Sequence, residues 1–98
     1  MATYLIADII TVHDPERYRD YVRQVPAFIE KHQGSYAVRG GEVEIREGDW
    51  QPQRLIVLEF PDKEHANAFL DDPEYQAVAA IRHAAATTNL VLVDSNNA

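Results

Sequence analysis

The alternation of apolar and polar residues near the start of the chain predicts a strand that is buried on both sides. Residues 3–12, TYLIADIITV, are β-branched and aromatic at successive positions, which is typical of strands. Alternate side chains point to opposite sides of the strand, with Leu5, Ala7 and Ile9 on one side and Tyr4, Ile6, Asp8 and Ile10 on the other.

A helical period replaces the strand period after residue 13. Asp14 can cap a helix, Pro15 suits its first position, and Glu16 complements the helix dipole. One apolar stripe at helical spacing is formed by Tyr18, Tyr21, Val22, Val25, Phe28 and Ile29. Because Pro26 has no N–H to donate, we expect this helix to kink or divide there, and Gly34 should end it.

The rest of the chain predicts two more strands, a second helical region and a last strand. Residues 35–46 are strand-like, and RLIVLEF at 54–60 is strongly apolar. Asp62 begins a helix, which restarts at 72–74 with a second Asp-Pro-Glu sequence. The final strand, LVLVD, covers residues 90–94. One face of the second helical region is shared by Tyr75, Val78, Ala79 and Arg82.

The predicted order is β-α-β-β-α-β, which is that of a ferredoxin-like sandwich in the α+β class. Its antiparallel four-stranded sheet carries both helices on one face. We expect a single domain over residues 1–98 with a frayed tail at 95–98. Three strands are apolar on both faces, so the second face needs a cover. A face-to-face homodimer supplies one; a ligand-filled or partly wet face on a monomer is the alternative.

The stretch VRGGEVEIREGDW at 38–50 resembles a phosphate-binding loop, but its pattern predicts a bend. A phosphate cradle leads into a helix, whereas EVEIRE after Gly41 alternates with period two. The seven residues of 54–60 are too few to pair with both 35–39 and 42–46. The glycines should therefore separate a strand of the main sheet from the 40–50 segment, which forms either a protruding arm or an edge against a second subunit. Trp50 is the expected anchor of that contact.

Composition removes several classes of function. Nine basic and sixteen acidic residues give a net charge of −7, which predicts no nucleic-acid and no membrane partner. The lack of cysteine excludes disulfides, thiolate catalysis and zinc–thiolate sites. The first 14 residues lack the features of a signal peptide, and no apolar run approaches the roughly 18 residues of a membrane span, so a cytoplasmic location is predicted.

Histidine spacing gives no sign of a metal centre. The four histidines, which are His13, His32, His65 and His83, do not lie at metal-ligand spacing from one another. We therefore predict no metal and no cofactor, and we expect these side chains at solvent-facing helix ends.

Several stretches of the chain resemble a known family. YLIADI, DPERYRDY, VRGGEVEIREGDWQPQRLIVLEFP and DPEYQAVAAIR are similar to the bacterial domain of unknown function 1330, over residues 3–94. The resemblance implies membership of the dimeric α/β-barrel superfamily, with ferredoxin-like protomers whose sheets pair. It implies no reaction, because the family has no established one. Relatives in the wider superfamily are similar to cofactor-free monooxygenases, lactone isomerases and haem-dependent dismutases.

Charged residues inside apolar strands are the candidate catalytic groups. Asp8 interrupts the first strand and Glu59 the third, where a desolvated carboxylate can act as a general base. Arg39 and Arg82 can neutralise these carboxylates or bind an anionic ligand. The superfamily resemblance implies a cleft between sheet and helices, with a lining that we predict to include Tyr18, Arg39, Glu59, Tyr75 and Arg82. The structural alternative is that arginine–carboxylate pairs only stabilise the dimer or the strand ends.

Two hypotheses of function follow. The first is a homodimeric protein that binds a small organic acid or aromatic metabolite, or a cofactor-free enzyme of isomerase or monooxygenase type with Glu59 or Asp8 as base. The second is a non-catalytic dimeric structural or regulatory module. The second predicts that every embedded charge is paired within the protein and that no sizeable cavity exists.

Overall fold

The computed structural model describes residues 1–95 and contains four strands and three helices in that part of the chain. The strands are β1 (Thr3–Val12), β2 (Ser35–Arg39), β3 (Leu55–Phe60) and β4 (Ala86–Asp94). The helices are α1 (Pro15–Lys31), α2 (Lys63–Asp71) and α3 (Pro73–Ala85). Most of the tail predicted to fray at 95–98 lies outside the described residues. Ser95 itself is tied down, because its amide donates to the carbonyl of Ala2 at 2.8 Å.

The strands form one antiparallel sheet in the order β2-β3-β1-β4, which is the order of a ferredoxin-like fold. The predicted α+β fold class is therefore confirmed. The helical region after β3 is divided into two helices at Asp72, which has an extended backbone (φ −61°, ψ 119°). The residue before a proline avoids helical geometry, and Asp72 precedes Pro73. The last strand begins at Ala86, four residues earlier than predicted.

Helix α1 runs without a break through Pro26, so of the two expected outcomes, a kink or a division, the division does not occur. Val25 and Ile29 lie on either side of the proline and are both buried in the core. These tertiary contacts hold the two parts in one helix despite the missing hydrogen bond. Gly34 follows the helix, and a Cβ atom on it would lie 2.6 Å from the ring of Phe60. A glycine is required at position 34 because any side chain there would collide with this ring. The backbone φ of Gly34 is not positive, so conformational freedom is not the reason.

The helices cover one side of the sheet, which we call the inner face. Its buried residues come from β1 and β3 and are Leu5, Ala7, Ile9, Leu58 and Phe60. Phe69 of α2 packs its ring 5.4 Å from that of Phe60 and 4.2 Å from that of Tyr75 on α3. The helices and the sheet thus share one aromatic and aliphatic core.

The opposite side of the sheet, the outer face, is not covered by any helix of residues 1–95. Its most exposed apolar side chains are Ile10, Val38, Val91 and Val93, and Val91 exposes 57% of its surface. Asp8 and Glu59 also lie on this face, since Tyr4 pairs with Glu59 and Ile6 pairs with Val57 in the register between β1 and β3. The prediction that the strands are apolar on both faces is therefore confirmed.

The 40–50 segment is not a strand of this protomer. Residues 35–39 pair with β3, as predicted for the part before the glycines, whereas 42–46 form no strand. Gly40 makes the turn with φ +75°, and its amide donates to the carbonyl of Leu55 at 3.0 Å. Farther along, the indole Nε1 of Trp50 donates to Asp8 at 2.9 Å, while 61% of Trp50 stays exposed. The segment therefore leads from the sheet edge to the outer face.

None of the helices over residues 1–95 is both long enough and apolar enough to cross a membrane. The cytoplasmic location stays a prediction.

Candidate functional site

A partly open cavity lies between the helices α1 and α3 and the inner face of the sheet. It encloses about 590 Å³ of empty space including its mouth, of which about 60 Å³ can hold the centre of a water molecule. Since one water needs roughly 10–15 Å³ by the second measure, the cavity accommodates several waters or a small molecule. Its walls are mostly apolar. Its polar lining residues are Tyr18, Tyr21, Tyr36, Tyr75, Arg39, Arg54 and Arg82.

The structure brings four of the predicted site residues together around this cavity. Tyr18 lies on α1, Arg39 ends β2, and Tyr75 and Arg82 lie two helical turns apart on α3. All four line the same space although they come from three separate elements of the chain. The structure therefore places these four side chains in a cleft between sheet and helices, and their role in binding stays a prediction.

The cleft position predicted for Glu59 is wrong. The side chain is exposed on the outer face, because its neighbours Leu58 and Phe60 turn toward the helices and alternate residues of a strand face opposite ways. Asp8 lies on the same outer face and accepts the hydrogen bond from Trp50. Neither candidate base touches the cavity, so a carboxylate mechanism inside it finds no support in the described residues.

Sequence reasoning missed three polar lining residues. Tyr21 belongs to the apolar stripe of α1, and its spacing of three residues from Tyr18 already indicates that both hydroxyls share one helix face. Tyr36 occupies the inner side of β2, where it pairs with Leu58. Arg54 precedes β3, and no local pattern distinguishes it from a loop arginine.

Arg82 is the deepest charge in the site, with 5% of its surface exposed. Its Nη1 donates to the hydroxyl of Thr88 at 2.5 Å, and its Nη2 lies 3.4 Å from Nε2 of His83. The guanidinium carbon stands 5.5 Å from the ring centre of Tyr21, within cation–π range. These partners are a hydroxyl, an imidazole and an aromatic ring, so none of the three is a carboxylate.

A pair of tyrosine hydroxyls lies beside Arg82. The Tyr21 and Tyr75 oxygens are 2.8 Å apart and join α1 to α3. Burial raises the pKa of the Tyr21 hydroxyl well above its ordinary value, and the neighbouring Tyr75 raises it further. Tyr21 therefore stays protonated at neutral pH and acts as a hydrogen-bond donor or acceptor without a charge.

Two exposed arginines flank the cavity near the sheet edge. The guanidinium of Arg39 lies 4.2 Å from the ring centre of Tyr36, and that of Arg54 lies 5.9 Å from the ring centre of Tyr18. Arg54 also packs over Gly40, where an added Cβ would lie 3.4 Å from its guanidinium. The Arg-Gly-Gly sequence thus makes a turn that holds two arginines beside the cavity. Burial raises the pKa of the Tyr36 hydroxyl, which is uncharged there.

Within residues 1–95, no group of three or more histidine and acidic side chains is arranged to hold a metal ion. His32 does not face solvent as expected, because its Nε2 lies 2.8 Å from the carboxylate of Asp72. The predictions of no metal and no cofactor stay predictions.

Comparison with known proteins shows a match to one family model over almost the whole chain. The model is described as a domain of unknown function (DUF1330), and it matches residues 2–96. No functionally curated protein is significantly similar to the chain.

Solved structures with low sequence identity share the fold. A protein of unknown function from Rhodopseudomonas palustris, RPA0582, is 16% identical with a TM-score of 0.77, covering 99% of this chain and 84% of its own. A dimeric ferredoxin-like protein of unknown function from Jannaschia sp. CCS1 is 12% identical with a TM-score of 0.67, and the coverage is 96% and 99%. SnoaB from Streptomyces nogalater, a cofactor-independent oxygenase, is 18% identical with a TM-score of 0.60, and the coverage is 99% and 94%. At these identities the likeness concerns the fold alone.

Proposed function

We propose that this chain, which belongs to the DUF1330 family, is a homodimeric protein that binds a small organic molecule between its helices and its sheet. The favoured ligands are small organic acids and aromatic metabolites. The observation that carries the proposal is the partly open cavity, which has apolar walls and a few polar side chains converging on one space. Such a combination is characteristic of small-molecule sites.

The four polar residues predicted from the sequence support this assignment. Tyr18, Arg39, Tyr75 and Arg82 come from two helices and one strand, yet all contribute to the lining. Tyrosine rings offer flat apolar surface with a polar tip, and arginines offer charged donors for acidic groups. The set suits a ligand that combines an apolar body with an acidic group.

The outer face supports the homodimer. Its apolar side chains include several that are exposed within residues 1–95, and Trp50 bonds to Asp8 on the same face. A second copy of the same sheet would bury this surface in a symmetric contact. The Jannaschia protein with the same fold is described as dimeric, which adds to the argument.

Catalysis without a cofactor, of isomerase or monooxygenase type, is the extension of the proposal. SnoaB, one of the proteins that share the fold, is a cofactor-independent oxygenase. In this chain Glu59 and Asp8 lie on the outer face, so the lining formed by the described residues supplies no carboxylate base. The geometry of the cavity therefore supports binding of a small molecule more strongly than it supports catalysis. The non-catalytic dimeric module is the competing hypothesis.

Methyl NMR spectroscopy with a panel of small acids, aromatic acids and neutral metabolites tests the proposal. Ligands should shift the methyl signals of Val22 and Ile56, which line the cavity, and leave those of Val57 on the outer face unchanged. Substituting Val22→Phe should fill the space and abolish the shift at Ile56. Glu59→Gln should leave binding unchanged, because that side chain lies on the other face. If no member of the panel shifts the cavity methyls, the non-catalytic module is favoured.

A further inference from the structure

A buried positive charge without a balancing carboxylate lies beside the cavity. Arg82 exposes only 5% of its surface, and within residues 1–95 no carboxylate lies within 4.0 Å of its guanidinium nitrogens. Thr88 and His83 accept hydrogen bonds from it but supply no negative charge. A desolvated ion without a counter-ion is unfavourable, so an anion bound in the cavity beside Arg82 would balance its charge.

An anion site also needs a free hydrogen-bond donor, and the pair of Tyr21 and Tyr75 supplies one. Each hydroxyl has one proton, and the contact between Tyr21 and Tyr75 at 2.8 Å uses only one of the two. The other proton remains for a third oxygen. Both rings line the cavity, and Arg82 lies over the ring of Tyr21, so this donor and the guanidinium serve the same region.

We propose that Arg82 and the hydroxyl pair of Tyr21 and Tyr75 form an oxyanion site, which binds the carboxylate of a singly charged organic acid. This inference rests on the proposed function and names the ligand class for the same cavity. The guanidinium balances the charge, and the free tyrosine proton donates to one carboxylate oxygen. The apolar body of the acid then lies against the aliphatic walls.

A single negative charge fits the site better than a doubly charged phosphate does. One buried guanidinium neutralises one charge, while Arg39 and Arg54 are solvent-exposed and screened by water and salt. Tyr21 and Tyr36, whose pKa values burial raises, stay neutral and add no repulsion to an anion. A carboxylate also matches the planar donor geometry of arginine.

The test compares three acids with their neutral counterparts in the intact protein. Acetate, benzoate and phenylacetate are titrated against acetamide, benzamide and phenylacetamide while the methyl signals of Val22 and Ile56 report binding. Each pair has nearly the same shape and differs in charge. At least one carboxylate should bind at least about tenfold more tightly than its amide, corresponding to about 1.4 kcal/mol.

Variants then assign the preference to the proposed groups. Arg82→Gln should abolish it, Tyr21→Phe should weaken it severalfold, and Arg17→Gln, an exposed arginine on α1, should leave it unchanged. Tyr21→Phe removes only a hydroxyl, so it keeps the test valid if Arg82→Gln fails to fold.

Two results overturn the inference. One is that no carboxylate is preferred over its amide, and the other is that the preference is the same in Tyr21→Phe as in the parent protein. If the amides still shift the cavity methyl signals in either case, the proposed small-molecule site is retained and only its preference for anions is rejected.

Discussion

The hydroxyl oxygen of Tyr21 on α1 lies 2.8 Å from that of Tyr75 on α3, across 54 residues of sequence. This hydrogen bond connects the two helices that bound the cavity, so it bears on stability as well as on the proposed oxyanion site. The ring of Tyr75 also packs 4.2 Å from that of Phe69, which ties the pair to the core.

Tyr21→Phe should lower the free energy of unfolding by about 1 kcal/mol, the usual net value of one protein hydrogen bond. For a domain of this size that corresponds to a fall in melting temperature of roughly 4–8 °C. Tyr75→Phe should have a similar effect. Because both substitutions remove the same bond, the double variant should lose clearly less than the sum, and urea denaturation of all four proteins checks this. If the loss in the double variant equals the sum of the two single losses, the hydrogen bond between Tyr21 and Tyr75 does not contribute to stability.

Gly40→Ala should destabilise the protein by about 1–2 kcal/mol, since an L-residue at φ +75° is strained and the added Cβ meets the Arg54 side chain at 3.4 Å. Gly41→Ala is the matched control. A Cβ added at Gly41 would meet no heavy atom within 4 Å, and this residue has no positive φ, so its change should be small. Thermal denaturation of the two variants compares them directly, and equal losses would refute the role given to Gly40.

Asp72→Asn should reduce stability most at about pH 7 and progressively less below about pH 4. Lys31 and His32 bond to this carboxylate, at 2.8 Å each, and with the backbone amide of Glu74 they hold the pKa of Asp72 well below 3.8. A lowered pKa in the folded protein means that the charged carboxylate stabilises the fold above about pH 4. That stabilisation is lost as the pH falls through the lower pKa of the folded state.

The measurement for Asp72 is the urea midpoint of both proteins from about pH 7 to about pH 2.5. The difference in urea midpoint between the parent protein and Asp72→Asn should narrow continuously as the pH falls below about 4. Asp71→Asn, which changes an exposed neighbour, should have nearly the same urea midpoint as the parent protein. A constant difference over the whole range would mean that the carboxylate charge is not the source of the effect.

Val91→Asp should convert a dimer into a monomer at micromolar concentration, because it places a charge among the exposed apolar side chains of the outer face. Ala27→Asp on the exposed side of α1 introduces the same charge outside the proposed interface and should leave the dimer intact. Light scattering coupled to size-exclusion chromatography distinguishes the two. A monomeric parent protein would remove the homodimer from the proposal.

Trp50 is the single tryptophan of the chain, so its fluorescence reports on the 40–50 segment alone. The residue is 61% exposed in the protomer while its indole N–H bonds to Asp8 on the outer face. Dimerisation through that face should bury the ring, so the emission should shift to shorter wavelength as protein concentration rises. The shift should be missing in Val91→Asp. An emission maximum that is independent of concentration across the dissociation range argues against a contact at Trp50.

Local patterns in the sequence determined the order of the elements and the two-sided character of the strands. Caps such as Asp14-Pro15 and alternation such as that of residues 3–12 depend on neighbouring residues, so they are readable without a structure. Pro26 is the exception, because burial of Val25 and Ile29 outweighed a local preference to break the helix.

Only the tertiary structure decided which face of the sheet became the cavity wall. Alternation shows that Glu59 lies opposite Leu58 and Phe60, but two apolar faces look alike in the sequence, and packing of the helices selects one. The meeting of Tyr21, Tyr75 and Arg82 likewise depends on how α1 and α3 lie over the sheet. Contacts between distant segments arise from this global arrangement, and no local pattern encodes them.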